Sequence, residues 1–76
     1  MLILFYFAAC PFCQKVLSFC EEQQIYLEKK DISIDLSARD ELLRLGGKKQ
    51  VPALQVDGEI LYESDAIIAY LSDRKQ

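Results

Sequence analysis

The stretch FAACPFCQKV, residues 7–16, separates two cysteines by two residues, one of them a proline, directly after an apolar run. Three readings compete for it: the end of a lipid-attachment signal, half of a metal site, or a redox pair. The run before it, Leu2 to Phe7, is continuous and β-prone, which predicts a short strand buried on both faces. A lipoprotein signal needs a basic segment ahead of its apolar core, whereas Met1 is followed directly by Leu2. Pro11 suits the first turn of a helix, where its missing N–H costs nothing. Beyond it Cys13, Val16, Leu17 and Cys20 fall at i, i+3, i+4 and i+7, the buried stripe of a helix. Gln14, Lys15, Ser18, Glu21 and Glu22 take the other face, and the helix is expected to end near Gln23-Gln24.

Composition narrows the chemistry. The chain has 76 residues, half of them apolar, which predicts one domain over 1–76 with material for one compact core. There are 9 basic and 12 acidic residues, net charge −3, and no basic block beyond Lys48-Lys49, so nucleic acid is not an expected partner. No apolar run reaches membrane-spanning length, so no membrane partner is expected either. The three cysteines make an odd count, which argues against a secreted disulfide framework. The absence of histidine removes Cys-His nucleophile pairs and mixed Cys/His metal sites.

The remaining elements follow from local pattern. Ile25 to Ile32 mixes β-branched and aromatic residues with charges and predicts a second strand. Ser37 can cap a helix over residues 38–45, with Leu42, Leu43 and Leu45 as apolar contacts and Gly46-Gly47 as the stop. Ala53 to Val56 and Glu59 to Tyr62 flank Asp57-Gly58, a strong hairpin signal. Ser64 can cap a last helix that turns Ile67, Ile68 and Leu71 inward. The predicted order is β-α-β-α-β-β-α: an alternating half that favours parallel pairing, then an antiparallel hairpin and a helix.

On this scaffold Cys10 falls at the N-cap of the first helix, exposed, and Cys13 one turn in, on the inward face. Free N–H groups and the positive dipole end stabilise an anion at such a position, and the thiolate is the reactive form of cysteine. That is what thiol–disulfide exchange requires. Zinc would need a second cysteine pair, but only Cys20 remains, about 10 Å further along the helix by its rise, so no metal is expected. Cys20 lies on the apolar stripe and reads as a small core residue. Two further segments carry polar signals. Gln50-Val51-Pro52 enters a strand, where proline is ordinary. Glu63-Ser64-Asp65 begins a helix, where capping accounts for Ser64 and Asp65, and where the same N–H groups could hold a ligand carboxylate.

Taken together, CPFC (10–13), KKQVPALQ (48–55) and ESDAIIAYL (63–71) resemble glutaredoxins, in particular the subgroup related to the N-terminal domain of glutathione transferases. The resemblance covers nearly the whole chain in order and spacing. It implies a thioredoxin-like α/β fold, a four-stranded mixed sheet with three helices. It implies that Cys10 is the nucleophile and Cys13 the resolving thiol, with Pro52 in the cis form facing them. Glutathione would be the electron donor. Val51 would pair with its cysteinyl part, Glu63, Ser64 and Asp65 would hold its γ-glutamyl end, Gln50 with Lys49 would face its glycyl end, and Phe12 would border the site.

The sequence departs from that family in three places. Phe12 stands where many members have Tyr. Phe7-Ala8-Ala9 stands where many have a Lys or Arg shortly before the first cysteine, a cation for which Lys48, Lys49 or Lys15 could substitute. Tyr62-Glu63 replaces the usual Gly-Gly before the last helix, which draws the match toward the transferases. The expected function is reduction of protein disulfides and protein–glutathione mixed disulfides by a cytoplasmic monomer, its partners being glutathione and disulfide-containing or glutathionylated proteins. The alternative is a glutathione-binding or iron–sulfur-carrying module with little turnover.

Overall fold

The structure, a computed structural model, describes residues 2–75. Its elements run β1 (Leu2–Tyr6), α1 (Pro11–Glu22), β2 (Glu28–Asp31), α2 (Leu36–Gly46), β3 (Ala53–Val56), β4 (Glu59–Tyr62) and α3 (Ser64–Lys75). The sheet order is β2-β1-β3-β4. β1 pairs parallel with β2 across the α1 crossover and antiparallel with β3, and β3 pairs antiparallel with β4. This is the thioredoxin-like fold, a four-stranded mixed sheet with three helices.

β1 is central, and its alternation divides the core. Ile3 and Phe5 face a cluster with Ile32, Ala38, Leu42 and Ala53, which α2 covers. Leu4 faces the other way, into a cluster with Val16, Cys20, Leu54, Ile67 and Leu71 from α1, β3 and α3. Full burial of side chains such as Leu4 and Phe5 contributes about 1.5–3 kcal/mol each.

Several local expectations are corrected. The second strand covers only Glu28–Asp31, not the whole of 25–32. Gln24 turns the chain at a φ of 56°, the Ile25 N–H returns to the Cys20 carbonyl at 2.8 Å, and Ile25 and Leu27 pack on the α1/α3 side before any pairing begins. α2 starts at Leu36, and its cap is Asp35, not Ser37. One oxygen of the Asp35 carboxylate accepts from the Ser37 and Ala38 N–H groups, both at 3.1 Å, and from the Ser37 hydroxyl at 2.7 Å. Leu43, expected inside, is 39% exposed, because Leu42 takes the inward position.

At the other end of α2, Gly47 closes the helix in the left-handed region at a φ of 83° and donates to the Leu43 carbonyl. Gly46 matters for space. A β-carbon there would lie 2.0 Å from the Tyr62 hydroxyl oxygen. That hydroxyl donates to the Lys48 carbonyl at 3.0 Å, and the Lys48 ammonium sits 4.7 Å from the Tyr62 ring centroid. Tyr62 therefore ties the 46–49 turn to β4 just before Glu63.

Candidate functional site

The site is assembled from the N-terminal ends of α1 and α3 and the segment that enters β3. Cys10 is the N-cap of α1, as expected. Its backbone is extended, and its Sγ accepts from the Cys13 N–H at 3.4 Å. Pro11 occupies the first turn. The loop before the dithiol is held from both sides: the Cys10 N–H donates to the Phe7 carbonyl at 3.2 Å, and the Gln14 side chain reaches back to the Ala8 carbonyl at 2.6 Å.

The expected exposure of Cys10 is corrected. The residue is only 7% exposed, since the Val51-Pro52 segment closes over it. Its Sγ lies 4.0 Å from the Val51 carbonyl oxygen, a long S–H···O contact. The Val51–Pro52 peptide is cis, as the resemblance implied. Cys13 has no exposure at all. Burial pushes its thiol up to about 12, a rise to which neighbouring Cys10 adds. Cys13 is therefore held as a neutral thiol near neutral pH, and solvent meets the pair only at Cys10. Cys20 also sits inside, and burial raises its thiol too.

Beside the dithiol lies a groove of about 340 Å³ lined by Phe12, Lys15, Gln50, Val51, Pro52, Glu63, Ser64 and Asp65. The residues singled out from the sequence at 12, 50–52 and 63–65 thus share one concavity. Lys49, singled out with Gln50, does not line it. Lys15 does; the sequence offers it, beside Lys48 and Lys49, as a substitute for the cation missing before Cys10, but gives it no place. Its place on the polar face of α1 signals only a solvated lysine. Its role emerges once α3 docks, where its Nζ meets Asp65 Oδ1 at 2.5 Å.

The groove's walls are already in contact. The Gln50 side chain donates to Glu63 Oε1 at 3.1 Å. Glu63 itself sits at a φ of 75°. Its carbonyl accepts the Ile67 N–H at 3.0 Å, so Glu63 holds the capping position expected for Ser64, and Ser64 becomes the first helical residue. Ser64 is 8% exposed, and its hydroxyl has no hydrogen-bond partner among the described residues. The hydroxyl opens on the groove, where water or a ligand can take its hydrogen bonds. Phe12, by contrast, is 63% exposed and stands at the groove's mouth.

A larger cavity, about 490 Å³, lies between α1 and β2. Its thiol is Cys20, on the inward stripe of α1, and neither Cys10 nor Cys13 borders it. The smaller groove, which adjoins the dithiol, is the candidate site.

The chain is similar to known proteins in both sequence and fold. The family model described as "Glutathione S-transferase, N-terminal domain" matches residues 4–76. A curated relative, glutathione S-transferase DHAR3, chloroplastic, of Arabidopsis thaliana, is 35% identical over 66 residues, which is 86% of this chain and 25% of the relative. The chain thus spans about a quarter of that relative's length. Among solved structures, human glutathione-S-transferase T1-1 is similar with a TM-score of 0.82 and 28% identity over 99% of this chain and 32% of its own. Glutathione transferase Omega 3C of Trametes versicolor gives 0.81 and 26%, over 96% of this chain and 33% of its own. The thioredoxin-like protein BC3987 gives 0.80 and 25%, and there the match covers 96% of this chain and 97% of the other.

Proposed function

Since the chain belongs to the glutathione S-transferase N-terminal domain family, we propose that it is a glutathione-dependent thiol–disulfide oxidoreductase of the glutaredoxin kind, working through Cys10 and Cys13. The observation that carries this reading is the sharing of Val51. Its carbonyl lies 4.0 Å from Cys10 Sγ, and the same residue lines the groove, so a thiol bound there is delivered to the nucleophile.

Two routes follow. With a protein–glutathione mixed disulfide, the Cys10 thiolate attacks the glutathione sulfur and the protein thiolate leaves. The thiolate of a second glutathione then attacks the new mixed disulfide, forming glutathione disulfide and releasing Cys10. With a protein disulfide, Cys10 attacks one sulfur and the other leaves as a thiolate. Cys13, giving up its proton, then attacks Cys10 Sγ and expels the remaining substrate thiolate, which leaves a Cys10–Cys13 disulfide for glutathione to reduce. The backbone of Val51, held beside Cys10 ahead of the cis peptide to Pro52, suits the cysteinyl part of the ligand. The unpaired Ser64 hydroxyl and the first N–H groups of α3 suit the γ-glutamyl carboxylate, and Glu63 and Asp65 suit the adjoining ammonium. Gln50 and the neighbouring Lys49 are left for the glycyl end, and exposed Phe12 for the substrate side. A reducing compartment such as the cytoplasm fits this chemistry.

The test is reduction of a glutathionylated peptide by glutathione, coupled to glutathione reductase. Cys10→Ser is expected to abolish turnover. Cys13→Ser is expected to keep activity on the mixed disulfide and lose most of it on a protein disulfide. Saturable glutathione binding with no turnover in the unaltered protein would replace this reading with that of a binding module.

A further inference from the structure

The groove has an electrostatic imbalance. Glu63 and Asp65 put two carboxylates on its walls, and Lys15 is the one cation among its described lining residues. A γ-glutamyl ligand brings an α-carboxylate toward those acids, together with an α-ammonium. The N–H groups of α3 and the Ser64 hydroxyl can donate to the carboxylate, but they carry no full charge.

Lys15 is placed to supply that charge. It projects from α1 just beyond the dithiol, and its Nζ meets Asp65 in the first turn of α3, beside Ser64. Both partners are exposed, 53% and 85% by side chain, so the ion pair is weakly held and easily rearranged. An ammonium beside a carboxylate is the complement of an α-amino acid head, which carries the same two charges in reverse order. We propose that Lys15 is a specificity-determining residue of this groove, its ammonium pairing with the α-carboxylate of a γ-glutamyl thiol while Asp65 pairs with the neighbouring α-ammonium. The inference rests on the reading of the groove as a glutathione site and assigns it a cation that the sequence does not place before Cys10.

The test uses calorimetric binding of three ligands to the unaltered protein, Lys15→Gln and Lys15→Arg. The ligands are glutathione, glutaryl-cysteinylglycine, which lacks the ammonium, and 4-aminobutyryl-cysteinylglycine, which lacks the α-carboxylate. Lys15→Gln is expected to weaken glutathione and the glutaryl ligand roughly three- to tenfold and to leave the aminobutyryl ligand unchanged. Lys15→Arg is expected to restore most of the loss. An equal change for all three ligands, or a loss that follows the ammonium, overturns the assignment by making Lys15 a mere partner of Asp65. Unchanged glutathione affinity in Lys15→Gln overturns it while leaving the glutathione reading intact. Absence of glutathione binding by the unaltered protein removes both.

Discussion

Glu63 shows most sharply what a single residue contributes. A non-glycine side chain at a φ of 75° costs on the order of 1 kcal/mol. Here that conformation turns the chain from β4 into α3 and sets the carboxylate against Gln50 across the groove. Glu63→Gly relieves the strain but frees the unfolded chain, which costs about 0.4–1 kcal/mol in the other direction. The variant is therefore expected to melt close to the unaltered protein and to bind glutathione several-fold more weakly, as checked by calorimetry and thermal unfolding. A large loss of stability with unchanged binding would make Glu63 a purely structural residue. The sequence made parts of this scale legible and hid others. The CPFC spacing placed Cys10 at a helix cap because Pro11 marks a helix start. The burial of Cys10 depends on Val51-Pro52, some forty residues away, and no local pattern carries that information. Glu63 took the capping role expected of Ser64 for a related reason: serine is the commoner cap, but here the positive φ falls at Glu63 and the helix begins one residue earlier than a Ser64 cap would start it.

Elements were legible where they punctuate themselves. The Asp57-Gly58 turn and the Gly47 stop fell where expected, because both depend on local backbone preference. β2 was overestimated because Ile25 and Leu27 are apolar for packing and not for pairing. α2 carries a testable cap. The Ser37 hydroxyl, and after it the Ala38 N–H, hold the Asp35 carboxyl below its usual 3.8. A carboxyl whose value falls on folding stabilises the folded state above its unfolded value and loses that effect as pH drops through the folded value. The stabilisation is thus complete at neutral pH and fades below about pH 4. Asp35→Asn keeps a good cap without the charge. It is expected to lower the urea midpoint at pH 7 and to match the unaltered protein near pH 2. A difference between the two that stays constant with pH would sink the account.

At the scale of the molecule, β1 and β3 belong to both apolar layers, so neither layer can open without loosening the other. Leu42→Ala, on the α2 side, is expected to cost about 2–5 kcal/mol. That is a large share of the roughly 4–11 kcal/mol expected for a chain of this size. Cys20 lies on the opposite side of the sheet and reports whether the damage crosses it. In both proteins its labelling by a thiol reagent in rising urea, followed by peptide mass, should track the loss of helical signal. Continued protection of Cys20 after α2 has melted would divide the molecule into two units.

The sheet also has an outer edge at β2, whose outward backbone groups have no strand beside them among the described residues. The order of charges along that strand, Glu28, Lys29, Lys30, Asp31, is a palindrome of sign. Two copies meeting edge to edge in the antiparallel sense, centred between the lysines, would set Glu28 against Asp31 and Lys29 against Lys30. Meeting in parallel register, each residue would face its own duplicate. Like charges oppose in either direction, which disfavours a strand partner of the same kind. Full overlap of β2 with its own copy is thus discouraged, and a strand that alternates the other way, acids against its lysines and a base against each acid, is the one this edge would accept along its whole length.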